Sequence, residues 1–232
     1  MPTQFDSDLG KLKEKLLQMG ALAERMIHDM SSVLIDRNMD LLTGIYEAEE
    51  KMDSLQTDLD EETIRMIGVY TPVAGDLRLL LMVTRINAEI ERIGDKVVDI
   101  GHILEDFLKE KEAKQLTDFT HTADLAENML HDALNAFVNN SVEEAMSVIA
   151  ADDKVDQLTD QTTRALFTHM LDDAHVIGYV FALILIAQAL ERVADHAVNI
   201  CEDVVYIVKG KDIRHLDVQD LNGSEKASAE KS

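Results

Sequence analysis

Along most of the chain, apolar residues recur at intervals of three and four. Leu12, Leu16, Met19, Leu22, Met26, Met30, Val33 and Leu34 form one such stripe, the spacing that places side chains on a single helical face. The stripe continues through Gly20, which weakens a helix by about 1 kcal/mol relative to alanine without ending it. The pattern predicts six helices. They run from about Leu9 to Asp36, Met39 to Ile67, after Pro72 to Leu108, Gln115 to Val138, after Ser141 to Met170, and Asp173 to Val208. Pro72 suits a first helical turn, Ser141-Val-Glu-Glu144 reads as a capping box, and Gly210 stops the last helix. Beyond it the composition shifts to Asp, Ser, Asn, Lys and Glu, and residues 216–232 read as a disordered acidic tail.

Composition sharpens this reading. Two prolines, ten glycines, no tryptophan, four tyrosines and six phenylalanines are poor material for a sandwich or barrel, which needs frequent turns and β-branched or aromatic strands. With 46% apolar residues in 232 positions the chain can build a core. Its 22 basic and 45 acidic side chains give a formal charge of -23, the wrong sign for binding nucleic acid. The lone Cys201 excludes an internal disulfide and a thiolate zinc site, and reads as a small buried hydrophobe. The apolar run from Val176 to Leu190 is fifteen residues long and is interrupted by Gln188. Spanning a membrane takes nearer twenty, so this is a core helix. No apolar signal segment opens the chain, which makes the cytoplasm the expected location.

The second half repeats the first. A shift of 103 places Leu22, Ala23, Glu24, Met26, His28 and Asp29 on Leu125, Ala126, Glu127, Met129, His131 and Asp132. It also places Glu49 and Asp53 on Asp152 and Asp156. Further on, a shift of 100 aligns Glu91, Arg92, Asp95 and Val98 with Glu191, Arg192, Asp195 and Val198. The order is preserved throughout, so the chain is all-α and built as two tandem three-helix bundles, residues 8–110 and 115–210, with internal pseudo-twofold symmetry. Short connections make neighbouring helices antiparallel.

Antiparallel packing gives the repeated acids a meaning. Glu49 and Asp53 are four apart, as are Glu91 and Asp95, Asp152 and Asp156, and Glu191 and Asp195, so each pair shares a helix face. The two pairs of one unit can face each other, and four converging carboxylates repel and raise one another's pKa. A cation relieves that repulsion; oxygen donors suit Mg, Mn or oxidised Fe and admit Zn. Asp99 adds a carboxylate one turn beyond Asp95, and its counterpart Asn199 still offers an oxygen. Two metal-free readings stand beside this one: a solvated acidic face, and an ion-pair lattice in which Arg92 and Arg192 bind acids on neighbouring helices. Glu24 with His28, and Glu127 with His131, are further repeated i,i+4 pairs, either near a metal or simply polar helix faces. No Glu has a His three places on, which argues against a ferritin-like di-iron oxidase. No nucleophile elbow, Walker loop or dinucleotide fingerprint occurs. The residues favour a binding or regulatory protein over an enzyme.

The segments Glu91-Arg-Ile-Gly-Asp95 and Glu191-Arg-Val-Ala-Asp-His-Ala-Val-Asn-Ile200 resemble the paired signature of the PhoU family of phosphate-specific transport accessory proteins. Tyr70-Thr-Pro-Val-Ala-Gly-Asp-Leu-Arg78 and Tyr206-Ile-Val-Lys-Gly210 are similar to further segments of that family, and the likeness extends over roughly residues 8 to 210. The resemblance implies two three-helix bundles and a negative regulator of phosphate uptake and of the phosphate-starvation response. It implies a link between the ATPase subunit of an ABC-type phosphate importer and a sensor histidine kinase, homodimers, and multinuclear iron or zinc held by Glu/Asp-x-x-x-Asp motifs, with Mg or Mn as less favoured cations. Those motifs fall here on Glu49, Asp53, Glu91, Asp95, Asp152, Asp156, Glu191 and Asp195. Asp99-Ile100 departs from the family's usual Asn-Ile, which Asn199-Ile200 keeps. The strong negative charge predicts that membrane contact runs through protein partners and not through anionic lipid. The rival functions are an accessory of a non-ABC phosphate permease and a metal-free helical adaptor.

Overall fold

The computed structural model describes residues 3–107, 118–172 and 174–214. Six helices follow one another: α1 (Gln4–Asp36), α2 (Leu41–Tyr70), α3 (Gly75–Phe107), α4 (Thr120–Asn139), α5 (Val142–Asp172) and α6 (Ile177–Lys209), with one 3-10 turn, Ala174–Val176, before α6. The expected acidic tail lies outside the described residues.

Local chemistry sets the helix ends. The Thr3 hydroxyl accepts from the Asp6 amide at 3.2 Å while the Asp6 carboxylate accepts from the Thr3 amide at 2.7 Å, a full capping box. It starts α1 five residues earlier than the apolar stripe predicts, and Phe5 in that extra turn packs against the core. At Ser141 the hydroxyl accepts from the Glu144 amide at 3.2 Å, but the Glu144 carboxylate turns to Asn139 instead of closing the box. Gly210 ends α6 in the left-handed region at φ 66°, its amide bonded to the Tyr206 carbonyl at 2.9 Å. The left-handed backbone favours glycine here, and a Cβ would lie 2.7 Å from an Arg78 guanidinium nitrogen, which would have to shift.

The helices form two three-helix units, α1–α3 and α4–α6, in which α3 packs along α6 and α1 along α4. The registers show that both pairings are antiparallel. Arg78 Nε donates to the Ile207 carbonyl at 3.1 Å, Arg85 meets Asp203 at 3.2 Å, and Glu89 meets His196 at 2.8 Å. On the outer pair, His131 lies 3.0 Å from Glu24 and His28 lies 3.7 Å from Glu127. Each repeated Glu–His pair therefore crosses to the other unit, reciprocally, as a pseudo-twofold axis demands. These repeated pairs are polar contacts between the two units.

One apolar cluster runs through every helix, from Leu12, Met19 and Met26 through Ile86, Ile90 and Ile93 to Val193, Ala197 and Ile200. Helix α6 is long and apolar enough to cross a membrane by length and composition, but 56% of its most apolar window is buried in the protein. Cys201 is buried and free, its thiol pushed up by desolvation.

Candidate metal centre

In each unit the middle and last helices bring their acidic pairs together. Burial pushes the Glu49 carboxyl up, and Asp53 on its own helix and Asp95 across on α3 add to the shift. Glu91 is raised by desolvation, then by Asp95 and Asp53. Asp95 is raised by desolvation, then by Asp53 and Asp99. The mutual repulsion expected from the spacing is thus present across the α2–α3 boundary.

The second unit repeats the arrangement with deeper burial. Desolvation, followed by Asp156 and Asp195, pushes Asp152 up to about 6. Its Oδ1 is buried without a hydrogen-bond partner. Asp156 is raised by desolvation and Asp195, and Glu191 by desolvation, Asp156 and Asp195. Gly94 lies behind the first cluster, where a Cβ would sit 2.7 Å from the Met52 sulfur, so close packing of α3 on α2 depends on its small size.

The two outlying positions are already engaged. Asp99 pairs with Lys96 at 2.6 Å. Asn199 donates to Glu89 Oε2 at 2.9 Å, across the seam between units. The arginines do not reach neighbouring helices as the ion-pair lattice requires. Arg92 binds Glu89 at 2.5 Å and Arg192 binds Asp195 at 2.8 Å, each within its own helix.

Two polar contacts in the central seam were not singled out from sequence. Glu89 accepts from Asn199 and meets His196 and Arg92; burial pushes its carboxyl up, but these three partners outweigh burial and hold it below the usual range. Arg85 reaches the buried Asp203, whose second oxygen is unpartnered. The signal lay in the repeat: Glu89, Arg85 and Asp203 fall on Ala189, Leu185 and Ile103, so the halves differ where they meet.

As the side chains stand, no group of three or more His, Cys, Asp or Glu among the described residues is gathered to hold a metal ion. The donor set nevertheless fits a hard or borderline cation. It is all carboxylate, mutually repelling, and includes the orphaned Asp152 oxygen. Glu49, Asp53, Glu91 and Asp95 would hold a cation in the first unit, and Asp152, Asp156, Glu191 and Asp195 in the second. Bound there, it would neutralise the carboxylates and tie the two helices together.

The PhoU domain model matches twice, over residues 16–104 and 119–204. The chain belongs to the PhoU family. Among its relatives, the phosphate-specific transport system accessory protein PhoU homolog of Pseudomonas putida is 32% identical over 99% of this chain and 91% of its own length. The phosphate-specific transport system accessory protein PhoU of Escherichia coli (strain K12) is 30% identical over 94% of this chain and 91% of its own length. The crystal structure of PhoU from Pseudomonas aeruginosa superposes with a TM-score of 0.86 at 31% identity, covering 90% of this chain and all of that one. The phosphate transport system regulatory protein PhoU from Streptococcus pneumoniae gives a TM-score of 0.83 at 25% identity, covering 90% of this chain and 99% of that one. The two model matches coincide with the two structural units, and the two clusters fall one in each match.

Proposed function

We propose that this PhoU-family chain is a negative regulator of phosphate uptake and of the phosphate-starvation response. It works at the cytoplasmic face of the membrane by coupling the ATPase subunit of an ABC-type phosphate importer to a sensor histidine kinase. It is a PhoU-type regulator of phosphate homeostasis and not a catalyst. The match of both units to the family model carries this reading, and the names of its relatives as phosphate transport accessory or regulatory proteins supply its direction. A homodimer, and units bounded near residues 8–110 and 115–210, belong to the same proposal.

The two carboxylate clusters supply the structural lever. Multinuclear iron or zinc at Glu49, Asp53, Glu91 and Asp95, and at Asp152, Asp156, Glu191 and Asp195, would remove the repulsion and fix the α2–α3 and α5–α6 surfaces for docking. Asp99, whose charge raises the neighbouring Asp95 carboxyl, and Asn199 extend these two sets by one helical turn. The net charge of -23 favours basic surfaces on the transporter or kinase.

Elemental analysis of untagged protein before and after chelation, with thermal unfolding of both forms, tests the metal part. At least two metal equivalents per chain, lost in the Asp95→Asn/Asp195→Asn double variant, are expected. Metal-free protein with unchanged melting would leave the clusters as docking surfaces. Co-purification with the importer's ATPase subunit tests the coupling part, and failure to associate with it would refute that part.

A further inference from the structure

Four large apolar side chains stand exposed where α5 and α6 approach the turn between them: Phe167 and Leu171 near the end of α5, and Ile177 and Phe181 at the start of α6. Leu171 is 88% exposed and Phe181 56%. Single exposed apolar residues are ordinary, but a group of them marks a contact surface. The helical period places this group on the faces that line a cavity between the same two helices. Phe167 follows Asp160 by seven residues and Phe181 precedes Gln188 by seven, two turns or about 10 Å in each case. Asp160 and Gln188 both line the cavity. Leu171 and Ile177 lie one turn further out.

The cavity measures about 480 Å³ and is acidic, with Asp156, Asp160 and Glu191 against Arg192. Arg164 binds Asp160 at 2.7 Å and Arg192 binds Asp195 at 2.8 Å, so Asp156 and Glu191 are the charges a guest meets. Desolvation and neighbouring acids raise both carboxyls, and a cation seated beside them would reverse that shift. One groove therefore runs from an apolar end at the turn to an acidic end two helical turns inward. The first unit carries a weaker form of its apolar end. Ile64 and Leu81, exposed as well, match Phe167 and Phe181, while Gly68 stands where the second unit has Leu171.

We propose that this groove docks a basic amphipathic helix of a partner protein, which lays apolar residues on Phe167, Leu171, Ile177 and Phe181 and places an arginine or lysine of the same face in the acidic cavity. The inference deepens the coupling reading above and rests on its requirement for a protein partner, not on metal. A helix suits the groove because its residues recur on one face at three, four and seven, so apolar anchors and a cation two turns apart can both face inward. Buried aromatic anchors carry most of the energy of such contacts. Asp156 and Glu191 add charge-assisted hydrogen bonds and select a basic partner. A second copy of this chain brings 23 excess negative charges toward the same carboxylates, and anionic lipid is repelled by them.

The test is fluorescence anisotropy of a labelled synthetic helix titrated with full-length protein in chelator. The peptide carries Leu and Phe on one face of its first turns and Arg on that same face of the next. Saturable binding at one site per chain is expected, weakening as salt rises. Phe167→Ser/Phe181→Ser should weaken it by about tenfold or more, and Asp156→Asn/Glu191→Gln should remove most of its salt dependence. The matching variant of the first unit, Ile64→Ser/Leu81→Ser, should have a smaller effect. Circular dichroism and melting confirm that each variant is folded. No saturation by about 1 mM peptide, equal binding of a peptide with Glu in place of Arg, or equal losses in the two double-serine variants would overturn the proposal. So would a dimer, or attachment to phospholipid vesicles, that Phe167→Ser/Phe181→Ser abolishes, because a second copy or a membrane would then be the occupant. If the peptide fails while the importer's ATPase subunit still co-purifies, this inference falls and the coupling reading stands. If neither associates, both fall.

Discussion

Replacing Arg85 by leucine, the residue that the second unit carries at the matching position, isolates the buried ion pair of the α3–α6 seam. Asp203 is 2% exposed at its side chain and Arg85 37%, so the substitution strands a buried carboxylate and not an exposed guanidinium. Desolvation pushes Asp203 up to about 7 even with Arg85 and Arg214 pulling it down and Glu89 and Glu202 raising it. Its folded pKa thus lies above its unfolded value. This group disfavours folding above pH 7, and its penalty is relieved as pH falls from about 7 toward 4. Removing one partner of a buried pair costs about 3–5 kcal/mol, and a chain of this size loses roughly 2–4 °C in Tm per kcal/mol. Arg85→Leu should therefore lower Tm by roughly 6–20 °C at pH 8.5. The loss should shrink as pH falls from about 7 to 5, where protonated Asp203 no longer needs a cation. Arg85→Leu/Asp203→Ile, which copies Leu185 and Ile103, should recover most of the loss at high pH. Urea and thermal unfolding of the parent chain and these two variants across pH 5 to 8.5 test this. A deficit independent of pH, or below about 1 kcal/mol at pH 8.5, would show that the pair is not desolvated as described.

Three further outcomes follow from particular contacts. Asp152→Asn should stabilise metal-free protein by about 1 kcal/mol at pH 8, since solvent still reaches the site and screens the repulsion. The gain should fade as pH falls from about 6 toward 4, where Asp152 becomes protonated in the unfolded chain as well, and urea unfolding reads both. Gly20→Ala should destabilise despite the better helix propensity of alanine. The added Cβ would lie 2.5 Å from Leu134 at the α1–α4 crossing, and overpacking of about 1–3 kcal/mol exceeds the propensity gain of about 1 kcal/mol; a higher Tm would mean that Leu134 turns aside freely. Thr3→Ala should cost about 1 kcal/mol, seen as faster hydrogen exchange in the first turns of α1, with the α3 amides unchanged.

The helices and the duplication were legible because burial on one face leaves a period of 3.6, and because a repeated unit restates its acids at a fixed shift. Glu49, Asp53, Glu91 and Asp95 meet across α2 and α3 as their spacing implies, and Asp152, Asp156, Glu191 and Asp195 do so across α5 and α6. What the pattern could not show is how the units face each other. Glu89, Arg85 and Asp203 look like ordinary acids and bases in a chain rich in both, and only the antiparallel register of α3 on α6 reveals their pairing. Arg92 and Arg192 occupy equal positions in the repeat, yet their partners differ because Glu89 has become Ala189. Asn199 gives its amide nitrogen to Glu89, a partner across the seam that the repeat alone does not reveal.

The single apolar cluster that passes through all six helices has a thermodynamic consequence. Neither unit can unfold without exposing the seam faces of α3 and α6 and the Gly20–Leu134 crossing, so the chain melts as one cooperative body although it was assembled by duplication. Any ligand that favours the native state adds its binding free energy to that one transition by mass action. Occupancy of either carboxylate cluster will therefore raise the same melting temperature, and the two clusters are energetically linked through the folding equilibrium without touching. A thermal shift counts bound ligand but does not locate it; locating it takes a probe that resolves α2 and α3 from α5 and α6.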